Sequence, residues 1–312
     1  MSLTIVADAN IPGLARYFGH LGEIVPADGR SLSAAQLEDA DVLLVRSVTR
    51  VDKSLLSGSR VRFVGSATSG IDHIEAHDLE GLGVHWCHAP GANANAVVEY
   101  VLSAIAASGD RLEELLAGGF VGILGCGAIG RLLASRLEAL GIDFRVCDPW
   151  LDQQSVPRAG SLEEVLGAAV VTLHTSLTDE KPWPSRHLVG ARQLAALGEG
   201  ALLINASRGP VVDNRALLQT LDNGAGFDAV LDTWEGEPGI DIDLLARAQL
   251  GTPHIAGYSL DGKLRGTRML ARELADYLQL DTGTDTTEEE GAEPLDFDGD
   301  VRGARLLRTL LL

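Results

Sequence analysis

Cysteine is scarce in this 312-residue chain. There are three, Cys87, Cys126 and Cys147, odd in number and with no CxxC spacing. That argues against a disulfide framework and fits a reducing compartment. Long hydrophobic runs are also missing. No stretch reaches the about 18 apolar residues that a membrane span needs. The opening MSLTIVADAN has no basic region followed by a long apolar one, so no secretory signal is expected. The expectation is a cytoplasmic protein with no membrane partner. Positive charge is short as well: 25 Lys and Arg stand against 44 Asp and Glu, for a net −19. Nucleic-acid phosphates would be repelled, so no nucleic-acid partner is expected. Part of the acidity is local, with nine acidic residues and no Lys or Arg between Asp281 and Asp300. The rest fits a salt-tolerant host and a generic acidic protein equally well.

What is present is a rhythm. Ten apolar, β-rich runs alternate with segments of helical spacing: LTIVAD, DVLLVRS, RVRFVGSA, GVHWCHA, GFVGILG, DFRVCD, AAVVTLH, GALLINAS, DAVLDTW and LGTPHIA. Strands apolar throughout and separated by helices indicate parallel sheets covered on both faces. The fold class expected is α/β, with two doubly wound, Rossmann-like parallel-sheet domains linked by long helices. The Ala-rich helix in GANANAVVEYVLSAIAAS reads as the bridge between two lobes, and its small, Gly-containing start as a hinge for their closure. The expected boundaries are a substrate domain at 1–94, completed by a return helix at 259–280, and a nucleotide domain at 95–258. Residues 281–312 read as an acidic, loosely held linker and a short amphipathic helix, VRGARLLRTLLL.

GILGCGAIGRL carries GxGxxG at Gly125, Gly127 and Gly130, with Ala128 and Ile129 between them. The pattern alone is weak, but here it follows an apolar strand and opens a helix, the context that dinucleotide binding requires. Gly125 permits the tight turn, Gly127 lets a pyrophosphate approach the backbone, and Gly130 lets the helix pack closely. The next strand ends in Asp148, about 20 residues on, where a carboxylate accepts ribose hydroxyls and repels a 2′-phosphate. NAD is therefore expected over NADP. Cys126 reads as a small residue tolerated in the turn.

Three later strand ends carry charge where a sheet should be apolar. LLINASRGP ends in Arg208, AVLDTWEGEP carries Asp232, Glu235 and Glu237, and LGTPHIAG carries His254. Open parallel sheets bind ligands at these ends. A histidine can move a proton near neutral pH, a carboxylate can orient it, and an arginine can clamp a substrate carboxylate. Arg208, Glu237 and His254 are thus the candidate catalytic set for hydride transfer from a 2-hydroxy acid. His73 with His77, and HWCH at 85–88, look like metal ligands, but neither has the further ligands that zinc needs. No metal is expected. Arg46 and Arg50, like Lys263, Arg265 and Arg268, read either as phosphate attractors or as solvated surface.

On these motifs the chain resembles the D-isomer-specific 2-hydroxyacid dehydrogenase superfamily over residues 1 to about 280. VRSVTRV, SATSGIDHIE, SLTDEKPWPSRHL and especially TPHIAGYSLDGKLRGT are similar to the branch acting on a phosphorylated four-carbon hydroxy acid. The resemblance implies metal-free, NAD-dependent oxidation of 4-phospho-D-erythronate in pyridoxal 5′-phosphate biosynthesis, with His254 as proton donor. It implies that Ser47, Thr68 and Tyr258 contact the substrate, and that Asp148, Thr175, Asp232 and Gly257 contact NAD. Family members also carry a further C-terminal domain that helps form a homodimer. Only the acidic segment and VRGARLLRTLLL stand there, which leaves the dimer open. A related enzyme acting on another acid, such as 3-phosphoglycerate, and a non-catalytic NAD sensor on the same fold remain as alternatives.

Overall fold

The computed structural model describes residues 3–280. The acidic segment and terminal helix expected at 281–312 lie outside the described residues. In chain order the strands are β1 Leu3–Asp8, β2 Gly22–Ala27, β3 Val42–Val45, β4 Phe63–Ser66, β5 His85–His88, β6 Phe120–Leu124, β7 Asp143–Cys147, β8 Val170–Leu173, β9 Leu202–Asn205, β10 Asp228–Leu231 and β11 Leu250–Gly251. The helices are α1 Leu14–Phe18, α2 Ala76–Gly81, α3 Ala94–Ala107, α4 Arg111–Leu116, α5 Ala128–Ala139, α6 Leu162–Leu166, α7 Ala191–Leu194, α8 Asn214–Asp222, α9 Ile242–Arg247 and α10 Leu260–Tyr277. The described chain divides into two compact units. The first holds the residues up to Asn93 and those from Ser259 onward, and the second runs Ala94–Tyr258.

The first unit is a five-stranded sheet in the order β2-β1-β3-β4-β5, parallel throughout. Strands β3 and β4 are buried along their whole length. Successive side chains point to opposite faces, so Leu43, Val45 and Val64 enter one apolar cluster while Val42, Leu44 and Phe63 enter the other. Helix α10 closes the second face. Its Leu270 and Leu274 are fully buried against Ile5, Phe18 and Phe63. Ser259 starts it by accepting the Gly262 N–H at 3.1 Å, one of the donors a helix start leaves orphaned.

The second unit is a six-stranded parallel sheet in the order β11-β10-β9-β8-β6-β7. The same alternation divides Val121, Ile123, Val170 and Ile204 from Leu124, Val171, Leu173 and Leu203. Both faces are covered, the arrangement an all-parallel sheet needs. From β6 the chain goes to β7 on one side and then to β8 on the other. The order therefore reverses beside β6, and ligands of doubly wound sheets bind outside the carboxyl ends at such a point.

Two departures from the sequence reading have physical causes. Strand β2, GEIVPA, is absent from the ten apolar runs because it is an edge strand. It is exposed along much of its length and carries Pro26, which an edge tolerates. The run LGTPHIA forms only two residues of strand, Leu250–Gly251. Pro253 offers no N–H, and His254 has φ +55°, so the extended backbone cannot continue. Truncating Leu270 to Ala should cost about 2–5 kcal/mol of stability, the range for a buried leucine. Urea unfolding measures it, and a loss under about 0.5 kcal/mol, the scale of an ordinary surface change, would show that α10 does not complete the first unit's core.

Candidate active site

The glycine loop sits between β6 and α5. Gly125 has φ +98°, and a Cβ there would lie 2.6 Å from the His174 carbonyl oxygen. A Cβ on Gly130 would lie 2.1 Å from the Gly125 oxygen, so helix and loop pack closely only with glycine. At Gly127 nothing lies within 4 Å of where a Cβ would be, which leaves the backbone uncovered. Helix α5 begins at Ala128 with no side-chain cap on its free N–H groups, an arrangement that attracts phosphate. Ala128 is exposed at this start, while Ile129 packs on the core.

The carboxyl ends of β6, β7 and β8 surround a cavity of about 480 Å³, walled by Gly125, Gly127, Asp148, Trp150, Thr175 and Trp183 among others. Asp148 accepts the Cys126 N–H at 2.8 Å and the Trp150 N–H at 3.1 Å. A carboxylate has about four acceptor positions, so room remains for ribose hydroxyls. The Thr175 hydroxyl is buried without a hydrogen-bond partner, as expected of a group waiting for a ligand. The uncovered Gly127 backbone and the orphaned Thr175 hydroxyl both fit a dinucleotide. Trp150 and Trp183, joined by a 3.1 Å hydrogen bond from the indole N–H to the Trp183 carbonyl, are walls that motif reading did not single out. Their only signal in the sequence was a tryptophan beside proline in each loop, in a chain with four tryptophans.

Arg208, Glu237 and His254 come together at the carboxyl ends of β9, β10 and β11. The His254 Nδ1 lies 2.8 Å from Glu237 Oε2. Glu237 Oε1 accepts the Trp234 backbone N–H at 2.7 Å. A neutral imidazole that donates from Nδ1 leaves the Nε2 lone pair as a base. The Glu237 hydrogen bond holds His254 above the ordinary histidine range, against burial and the Arg208 charge, with Glu237 and Asp232 adding negative potential. Burial alone would raise the Glu237 carboxyl. The hydrogen bonds from His254 and Trp234 outweigh it and hold the group below the usual carboxylate range. Arg208 is half-buried, with Nη1 donating to the Ser207 carbonyl at 2.8 Å. Its turn is fixed from below: Asn205 donates to the Arg208 carbonyl at 3.0 Å and accepts from Ser207.

Asp232 is 1% exposed. Its Oδ1 accepts from Thr252 Oγ1 at 2.6 Å and from the Ile255 N–H at 2.7 Å, and its Oδ2 accepts the Ala256 N–H at 2.9 Å. Oδ2 keeps a free acceptor position. Gly257 is partly buried, and Tyr258 closes the turn with its N–H on the Ile255 carbonyl, its ring largely exposed. Ser47 and Thr68 lie in the first unit. Ser47 is exposed after β3, beside Arg46, whose Nε donates to the buried Asp8 at 3.0 Å. Arg50 instead pairs with Glu75 at 2.6 Å. Thr68 donates to the Gly70 carbonyl at 3.1 Å and meets Ser66 Oγ at 2.8 Å. Two histidines of the metal-like patterns make side-chain hydrogen bonds: His73 Nε2 meets Ser66, and His88 Nδ1 donates to the Ser69 carbonyl. Among the described residues a different trio, His187, Asp213 and Glu235, draws close.

Residues 99–256 match the family model for the D-isomer specific 2-hydroxyacid dehydrogenase, NAD binding domain. The chain belongs to this family, and its second unit is an NAD-binding domain. At closer range it is similar to erythronate-4-phosphate dehydrogenase of Cellvibrio japonicus, 49% identical over 92% of this chain and 75% of that protein. It is also similar to erythronate-4-phosphate dehydrogenase of Escherichia coli O157:H7, 44% identical over 88% and 74%. The fold is shared with the NAD-bound 3-phosphoglycerate dehydrogenase of Entamoeba histolytica, with a TM-score of 0.76 at 20% identity over 89% of this chain and 96% of that one.

Two measurements test the site. With Asp148 in place, NADH should bind at least about tenfold more tightly than NADPH, since a phosphate would be desolvated against a carboxylate. Equal affinities by calorimetry would contradict that. A base role for His254 predicts a rate that rises with pH through a midpoint above about 6.5, the ordinary histidine value. Glu237→Gln removes the group that raises it, and the midpoint of the kcat/KM profile should move down.

Proposed function

We propose that this chain oxidises 4-phospho-D-erythronate with NAD to (R)-3-hydroxy-2-oxo-4-phosphooxybutanoate, a step in pyridoxal 5′-phosphate biosynthesis. The observation that carries the reading is the His254–Glu237 hydrogen bond beside Arg208, in a chain 49% identical over 92% of its length to an erythronate-4-phosphate dehydrogenase. NAD, when bound, accepts the hydride that leaves the substrate's C2. The protein's own groups manage charge and protons. His254 takes the C2 hydroxyl proton at Nε2, and the imidazolium so formed is stabilised by Glu237 at Nδ1. Arg208 holds the substrate carboxylate and stabilises the partial negative charge on the C2 oxygen as its proton leaves, before the hydride transfer completes the carbonyl. In the reverse direction the same imidazolium returns the proton.

Around NAD, the Gly125–Gly130 loop and the start of α5 would hold the pyrophosphate and Asp148 the ribose hydroxyls, with Thr175, Asp232 and Gly257 as further NAD contacts. Ser47, Thr68 and Tyr258 bind the substrate. A cytoplasmic homodimer goes with this reading. No helix among the described residues is long and apolar enough to cross a membrane.

NADH formation is the direct test, with 4-phospho-D-erythronate, 3-phosphoglycerate and D-lactate as parallel substrates and a trap for the 2-oxo acid. The expected result is a strong preference for the first. Activity on another acid alone would keep the chemistry and discard the pathway. His254→Ala should lower kcat by about 100-fold or more, the usual worth of a positioned proton carrier. Near-normal turnover would remove His254 from its role.

A further inference from the structure

The residue that opens the histidine segment, Thr252, has no part in the reaction as proposed, yet more hydrogen bonds of the site meet on it than on His254. Its N–H donates to the Leu231 carbonyl at 2.9 Å, which ends the β11 ladder. Its carbonyl accepts the Trp234 indole N–H at 2.9 Å, and the backbone N–H of the same tryptophan holds Glu237. Its hydroxyl donates to Asp232 Oδ1 at 2.6 Å. That hydroxyl has one proton, and the carboxylate can only accept. The Tyr100 phenol, 2.7 Å from Thr252 Oγ1, must therefore be the donor in its own bond. Two hydroxyls in series, Tyr100 to Thr252 to Asp232, feed a buried carboxylate.

The same aspartate in turn holds the histidine's loop, by its main chain and its side chain. The His254 N–H donates to the Asp232 carbonyl at 2.8 Å, and the next two N–H groups go to its side chain. The result is a non-glycine residue kept at φ +55°, a conformation that persists only where its surroundings over-determine it. Tyr100 lies on α3, whose Val97, Val101 and Ala104 are buried in the second unit's core, so the outer end of the series rests on a rigid element.

From this geometry we infer that Thr252, backed by Tyr100, is a positioning residue that holds Asp232 and Trp234, and through them His254 and Glu237, in one reactive arrangement. It acts through these groups and touches no reacting atom. The inference rests on His254 being the proton carrier of the proposed reaction. The charged groups around His254 are Glu237, Asp232 and Arg208, and the first two raise its proton affinity only while they are held in place.

The test uses full-length Thr252→Val, Thr252→Ser and Tyr100→Phe, with two readouts. One is the His254 imidazole titration by NMR, assigned with His254→Gln. The other is kcat with NAD and 4-phospho-D-erythronate. Thr252→Val should lower the titration midpoint by about half a pH unit or more and kcat by about tenfold or more. Thr252→Ser, which keeps the hydroxyl, should restore both. Tyr100→Phe should shift the midpoint the same way by less, and it decides the matter if Thr252→Val does not fold. A midpoint unchanged in the folded variants overturns the inference, as does loss of stability with both readouts intact. If the unaltered protein turns over none of the acids, the functional reading fails, while the titration still decides whether Thr252 holds the histidine.

Discussion

The Asp232 carboxylate is the constraint on which the rest of the second unit's site depends. It is buried at the end of β10 and accepts three hydrogen bonds, two of them from consecutive backbone N–H groups of the loop after β11. Hydrogen bonds to a charged group are worth about 1.5–3 kcal/mol each, enough to outbid a ladder that Pro253 has already weakened. The strand ends early, the backbone turns left-handed at His254, and the imidazole meets a carboxylate from the neighbouring strand end. Without a charge at that position nothing would draw two N–H groups away from the sheet.

Asp148 repeats the device on the other side of the sheet. It stands just beyond β7 and accepts a backbone N–H from the glycine loop after β6. Each acid ties one strand's end to the loop of another, which makes the carboxyl edge of the sheet rigid where flexible loops would be expected. Each keeps unused acceptor capacity, so one side chain can organise protein and still contact a ligand. The cost is a buried negative charge, and the converging N–H dipoles offset it.

The first unit has the same strand order in its five-stranded sheet, β2-β1-β3-β4-β5, and a different use of charge. Arg46 lies back on Asp8, while Arg50, four residues on, is spent on an exposed pair with Glu75. Exposed pairs contribute little, about 0–1 kcal/mol, whereas an arginine held by a buried acid has a defined direction. Two basic residues that looked equivalent in VRSVTRV are therefore physically distinct.

Much of this was legible in the amino-acid sequence. Runs such as VLLV and LLIN, recurring between helical segments, indicate strands buried on both faces, and the spacing from Gly125 to Asp148 implies a nucleotide loop. Charge at three successive strand ends singled out Arg208, Glu237 and His254, because a sheet has no other reason to carry it there. Strand β2 escaped because an edge strand need not be apolar, and the early end of β11 escaped because a competing acceptor lies 20 residues away in the chain. The roles of Thr252, Trp234 and Tyr100 were decided by tertiary structure alone. Tyr100 and Thr252 are 152 residues apart, and no periodicity relates them. A local pattern can specify which face of an element is buried, but only the packed sheet brings distant polar groups within hydrogen-bonding distance and leaves them no other partner.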